Sequence, residues 1–215
     1  MIKKILKEMR LRINKFGSSF RRKKLNIKNP TIISNNCWAG IVSQYLGIKY
    51  YTPTIGLYFF AEEYIKFLER FDYYIKQDLK IIETKDSRYY EKMVKKNHKH
   101  AIVGKLDDVE IVFLHMKTEK EAIEKWNKRV QRINKKYIIF KFCEQNECTK
   151  KHVERFEKLP FKNKICFTTK DYPGYKSVIW FKNQVKNDEV LRDYYESHKY
   201  LNIIDYINNM EEENL

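Results

Sequence analysis

An α/β fold is predicted for this chain: three layers, with helices on both faces of a mixed, mainly parallel sheet. Three observations predict it. Strand-like and helix-like stretches alternate three times, with connections long enough for the crossovers that parallel pairing requires. Thr31 to Ile33 is β-branched throughout with no polar alternation, which places the first strand centrally. That strand also runs straight into a helix, in the stretch Thr31 to Gly47, TIISNNCWAGIVSQYLG.

Each element follows from local chemistry. In Met1 to Phe20, Ile2, Ile5, Leu6, Met9, Ile13, Phe16 and Phe20 recur at helical spacing among Lys and Arg, which reads as a basic amphipathic helix. Arg21 to Lys24 is a linker. Pro30 precedes the first strand, which ends near Ser34. Ile41, Val42, Tyr45 and Leu46 then define a helix that Gly47 stops. In KYYTPTIGLYF, Pro53 and Gly56 demand an irregular connection. Phe60 to Ile75 reads as one core-facing helix and Leu79 to Glu83 as a short strand. Ser87 to His100 is charged, with a helix ending before Asn97. Ala101 to Met116 reads as a hairpin turning at Asp107-Asp108, an Asp pair that serves the turn rather than a metal. Thr118 and Glu121 form a capping box before the stripe Ala122, Ile123, Trp126, Val130 and Ile133. Tyr137 to Cys143 is a strand. Asn146 or Thr149 caps a helix carrying Val153, Phe156 and Leu159, which Pro160 ends. Lys164 to Thr168 is a strand, and Ser177 to Phe181 another, after a Tyr172-Pro173-Gly174 turn that allows an antiparallel return. Asp188 to His198 and Leu201 to Asn209 read as helices. The chain thus divides into a basic helix and linker (1–24), a single α/β domain (25–209) and an acidic frayed tail (210–215).

The formal charge of +16 is uneven, since residues 1–28 hold eleven Lys and Arg against one Glu and leave +6 for everything else. That distribution, with no recognised nucleic-acid motif, argues against a nucleic-acid partner. It fits attraction of residues 1–24 to an anionic membrane surface. No run of 18 apolar residues is present and the basic start lacks a signal peptide's apolar block, so the expected location is the cytoplasm, peripheral at the inner face of the membrane. Cys37, Cys143, Cys148 and Cys166 form no C-x-x-C pair, so reduced thiols are expected and no zinc. Neither a glycine-rich phosphate loop nor a GxSxG elbow occurs, and no cofactor is expected.

Ligands of open α/β sheets bind beyond the carboxyl ends of the strands. If the strands are parallel, those ends gather Ser34, Asn35, Asn36, Cys37 and Trp38; His115; Glu144, Gln145, Asn146 and Glu147; and Thr168, Thr169 and Asp171. Two chemistries suit that set. Cys37 at a helix N-terminus can act as a nucleophile with His115 as base and Glu144 as orienting group. Alternatively the amides and carboxylates recognise sugar hydroxyls or a nucleotide, with Glu144 or Glu147 as base. The plainer reading has Ser34, Asn35 and Asn36 capping the helix and Cys37 packed inertly beneath Trp38.

ISNNCWAG, PTIGLYF, GKLDDVEIVFLH with TEKEAIEKWNKR, FKFCEQNECT and LPFKNKICFT, in that order, resemble the bacterial domain of unknown function 1919 over roughly Leu25 to Asn209. The resemblance implies a three-layer α/β/α fold and a role in exopolysaccharide or capsular biosynthesis, and it supplies no catalytic residue. Together with the polar strand ends it gives the expected function, transfer of a glycosyl or related group from an activated sugar. The alternatives are a non-catalytic glycan-binding or partner-binding protein of the same pathway, and a Cys-His-carboxylate thiol enzyme.

Overall fold

The structure is a computed structural model and describes residues 16–215. Most of the amphipathic stretch, Met1 to Lys15, lies outside the described residues; its last turn forms α1 (Ser18–Lys23). The strand β1 (Thr31–Ser34) enters α2 (Trp38–Leu46) as the residue pattern requires. Gly47 ends α2 in the left-handed conformation, φ 65°, returning N–H groups of the cap to the carbonyls of Gln44 and Ser43. After a loop come β2 (Leu57–Tyr58), α3 (Ala61–Glu69) and α4 (Phe71–Tyr74). The single helix expected over Phe60 to Ile75 is therefore two, broken where Arg70 leaves helical geometry at φ −131°. Next follow β3 (Lys80–Ile82), α5 (Tyr90–Lys95), β4 (Ile102–Leu106), β5 (Val109–Phe113), α6 (Glu119–Val130) and β6 (Ile138–Cys143). The chain closes with α7 (Lys150–Lys158), β7 (Lys164–Thr168), β8 (Val178–Trp180), α8 (Asp193–Glu196) and α9 (Ile203–Asn208).

The fold is mixed α/β, built on two sheets where one was expected. One is parallel, in the order β1-β6-β7-β8; the other is antiparallel, in the order β2-β5-β4-β3. The two-residue turn at Asp107-Asp108 forces β4 and β5 antiparallel, and β5 pairs onward with β2 rather than with β6. All of the second sheet is thus an excursion between β1 and β6. The strand β8, for which an antiparallel return was allowed, runs parallel to β7. The helix expected over Asp188 to His198 shrinks to α8 and a following single turn, Ser197–Lys199.

The central position expected for β1 is also corrected: it lies at the end of the parallel ladder. Its residues are nevertheless fully buried, because the loop that follows α2 covers the open side. Thr54 Oγ1 accepts from Ser34 N at 3.1 Å and donates to the Ile32 carbonyl at 3.4 Å. Phe59 N donates to the Asn35 carbonyl at 3.0 Å, linking the two sheets. Lack of polar alternation reports burial, which an irregular segment supplies as well as a strand does.

Both faces of the parallel sheet are dry. Ile33, Phe140, Phe142 and Cys166 face a core shared with Tyr64, Phe67, Trp126 and Phe156, whereas Ile32, Ile139, Cys143, Ile165 and Phe167 face Trp38, Val42, Leu46, Phe181 and Ile207. The outer face of the antiparallel sheet carries a buried charge network. Glu63 and Glu110 are almost fully buried and share Arg88, with Ser87 Oγ donating to Glu110 at 2.7 Å and Tyr89 Oη to Glu63 at 2.9 Å.

The acidic end, expected to fray, is pinned. Glu213 accepts from Asn163 N at 3.0 Å and donates its own N–H to the Lys136 carbonyl at 2.9 Å, and Glu211 N reaches Asn163 Oδ1 at 3.0 Å. The backbone donors at 162 and 163 face inward and need acceptors, which the tail provides.

Candidate functional site

Because β1, β6 and β7 run parallel, their carboxyl ends do meet. Asn35 Nδ2 donates to the Cys143 carbonyl at 3.0 Å and Asn36 Nδ2 to Gln145 Oε1 at 2.9 Å. The Glu144 carboxylate accepts from Thr169 N at 2.6 Å and Thr169 Oγ1 at 2.8 Å. Asn36 also completes the helix start: its Oδ1 accepts from Trp38 N at 3.1 Å and from Ser34 Oγ at 3.1 Å. Capping therefore falls to Asn36, with Ser34 supporting it, while Asn35 crosses to β6. Asn35 Oδ1 is buried and has no hydrogen-bond partner.

The centre of the cluster is a residue pair that the sequence pattern concealed. Lys141 projects from β6 on the face shared by Ile139 and Cys143 and forms an ion pair with Asp193; both side chains are fully buried. The Lys141 ammonium also donates to Asn36 Oδ1 at 3.0 Å and stands 5.6 Å from the Trp38 ring and 5.0 Å from that of Phe167. Asp193 additionally accepts from Asn36 Nδ2 at 2.9 Å. A buried ion pair this well supplied with hydrogen bonds satisfies the condition under which charges persist in a dry interior. A lone Lys within the apolar run YIIFKFC was the available signal, since a charge on a buried strand requires a counter-charge.

Other predicted residues go elsewhere. His115 follows the antiparallel β5, and its N–H donates to the Gly56 carbonyl at 3.1 Å, so its reading as a parallel strand end fails with the topology. Asn146 and Glu147 adopt left-handed backbone and turn toward α5, where Lys96 donates to Asn146 at 2.9 Å and Lys92 pairs with Glu147 at 2.7 Å. Thr168 is buried and donates to the Lys170 carbonyl at 2.8 Å, and Asp171 is exposed. Cys37 hydrogen-bonds through sulfur to the Leu57 carbonyl at 3.9 Å. Burial, reinforced by the Asp193 carboxylate and only partly offset by Lys141, pushes its thiol up to about 11, opposite to what a nucleophile needs. The Cys37 thiol and the Glu144 carboxylate are thus committed to different partners, and His115 follows a strand of the other sheet.

Open space lies beside the polar cluster rather than within it. A cavity of about 510 Å³ separates α2 from the segment that carries α8 and the start of α9. Trp38, Tyr45, Tyr194 and Tyr195 give it an aromatic lining, and Ser197, His198 and Asn202 supply polar groups. Trp38 Nε1 donates to Ser197 Oγ at 2.9 Å, tying the two walls together. Its volume suits a small-molecule ligand, and aromatic faces with a few polar groups are the usual lining of such a site.

Fold and site together define a mixed α/β protein whose parallel-strand ends are locked by a buried Lys-Asp pair and open onto an aromatic cavity. The chain belongs to the family described as Domain of unknown function (DUF1919), which matches residues 8–211. It is similar to an uncharacterized protein of Haemophilus influenzae (strain ATCC 51907 / DSM 11121 / KW20 / Rd), 31% identical over 191 residues and covering 86% of each chain. No helix among the described residues is long and apolar enough to cross a membrane.

Proposed function

We propose that the protein takes a sugar, carried on a nucleotide or within a glycan, into the cavity between α2 and the α8 segment. In this reading it serves surface-polysaccharide assembly in the cytoplasm, transferring a glycosyl or related group from an activated donor. The observation that carries the proposal is the pairing of aromatic faces with hydroxyl, imidazole and amide groups around about 510 Å³, since sugar rings present C–H faces to aromatics and hydroxyls to polar groups. The polysaccharide context comes from the family resemblance. The two cores on opposite faces of the parallel sheet support the three-layer arrangement that goes with it.

A second reading, a non-catalytic glycan-binding component of the same pathway, is favoured by one observation. Asp193, the buried carboxylate of the segment that forms one wall, is held by Lys141, which leaves His198 as the imidazole in the lining. Calorimetric titration with a panel of nucleotide sugars and oligosaccharides, followed by an assay for released nucleotide, tests both readings. Binding weakened about tenfold by Tyr194→Ala, a loss of about 1.4 kcal/mol, supports the cavity as the site. Turnover that His198→Ala abolishes supports transfer; binding without turnover supports the binding component. Absence of binding by every member of the panel overturns the proposal.

A further inference from the structure

The helix α1 is fastened to the domain along one side. Arg21 Nε donates to the Tyr45 carbonyl at 2.7 Å with its guanidinium 4.0 Å above the Tyr45 ring, and Arg22 donates to the Gly47 carbonyl at 3.0 Å. The approach is close enough that a Cβ on Gly47 would lie 2.9 Å from Ser18 Cβ. What the helix offers to solvent is therefore set by the fold. The helix and the residue before its cap offer Phe20, 64% exposed, and Phe16, 95% exposed, four positions apart and the most exposed large hydrophobic side chains among the described residues. Arg22, Lys23 and Lys24 are exposed around them, and the Lys24 ammonium sits 4.6 Å from the Phe20 ring. In the sequence, Ile2, Ile5, Met9 and Ile13 lead into Phe16 and Phe20 at intervals of three and four, with Lys3, Lys4, Lys7, Arg10, Arg12 and Lys15 between them.

We infer that Phe16 and Phe20 seat α1 at the headgroup boundary of an anionic lipid bilayer, with Arg22, Lys23 and Lys24 against the lipid phosphates. Charge selects this occupant. A second copy would bring one cationic rim against another, and a polyanion without an apolar layer would leave the two phenyl rings in water. A bilayer with anionic headgroups satisfies both chemistries, apolar rings at the acyl boundary and basic side chains in the negative surface potential. Because Arg21 and Arg22 tie α1 to Tyr45 and Gly47, attachment also holds the Tyr45 side of the cavity next to the membrane surface. The attachment itself does not depend on what the cavity binds, so the two proposals stand or fall separately.

The test uses the full chain in vesicle co-sedimentation, with phosphatidylcholine vesicles and with mixed phosphatidylglycerol-phosphatidylcholine vesicles. The wild type is expected to pellet with the anionic vesicles only and to be released near 1 M salt, where the Debye length falls to about 3 Å. Phe16→Ser with Phe20→Ser is expected to lower the partition coefficient about tenfold or more while leaving thermal unfolding unchanged, since both rings are exposed. A variant that pellets like the wild type would show that the two rings do not seat the helix and would overturn the inference. So would a wild type that ignores both kinds of vesicle, or one that runs as a dimer until the two phenylalanines are replaced.

Discussion

Replacing Asp193 by Ala strands the Lys141 ammonium in an apolar pocket. The lysine is completely buried, its neighbours include the Trp38 and Phe167 rings, and the acceptor left within reach is Asn36 Oδ1 at 3.0 Å. Breaking a buried pair by removing one partner costs about 3–5 kcal/mol, because the survivor keeps its desolvation penalty and loses its compensation. Lys141→Met leaves Asp193 with two N–H donors, Asn36 Nδ2 at 2.9 Å and Tyr194 N at 2.9 Å, and falls in the same range of about 3–5 kcal/mol. With a urea m-value of about 2–3 kcal/mol per molar, either substitution lowers the unfolding midpoint by about 1–2 M at constant m. The double variant strands no charge, so its cost falls short of the sum by about 2 kcal/mol or more. Urea titration followed by tryptophan fluorescence reads all four corners of the cycle. Additive losses, or a single-variant cost under about 1 kcal/mol, would refute the assignment of Lys141 and Asp193 as the electrostatic lock of the site.

Adjacent glutamates on α3 give opposite pH signatures. Hydrogen bonds from Arg155, with burial opposing, hold Glu62 below its ordinary range, so its contribution is present above about pH 4.5 and disappears as the pH falls. Burial outweighs Arg88 and lifts Glu63, whose contribution is complete below about pH 4.5 and is lost as the pH rises through its elevated value. Subtracting the stability of Glu62→Gln and of Glu63→Gln from wild type between about pH 3 and 7 should give slopes of opposite sign, and slopes of one sign would contradict the burial argument. Alkylation of Cys37 by iodoacetamide should be slow at pH 7 and rise about tenfold per unit toward about pH 11. A fast, pH-independent reaction would restore the nucleophile. Thr118→Ala removes the acceptor for Glu121 N, 3.1 Å away, and should cost about 1 kcal/mol by thermal melting.

Local chemistry made much of the fold legible. The β-branched run at Thr31 to Ile33, the stop at Gly47, the turn at Asp107-Asp108 and the cap at Thr118 are written in single residues whose conformational preferences are strong. Sheet membership is not written that way. In β5, Val109, Ile111 and Phe113 face the main core while Val112 joins a smaller cluster on the other face, so the strand, Glu110 apart, has the apolar look of a parallel one. His115 was carried into the site by that likeness. The strand-end amides were found because helix starts need acceptors and the strands that end there are parallel. Lys141 and Asp193 were missed because they lie 52 residues apart in sequence. Lys141 stands out in the apolar run YIIFKFC, but its counter-charge Asp193 looks, in its own neighbourhood, like an ordinary surface charge. The aromatic cavity was likewise invisible, since Tyr194, Tyr195 and His198 come from a segment whose short turns carry no helical period.

The loop beside β1 bears on how the protein keeps its monomers apart while folding. A terminal strand with bare amides and carbonyls is a template on which another chain can grow a sheet, and long apolar edges are the ones that seed fibrils. Here the template is taken by threonine hydroxyls from a segment containing Pro53, a residue with no N–H to offer an invading strand. The three outermost strands left uncapped by this loop, β2, β3 and β8, are only two or three residues long. The exposure of the β1 edge is thus confined to the interval before residues 51–60 close over it. A chaperone that recognises extended apolar chain would find its target there, and nowhere on the finished edges.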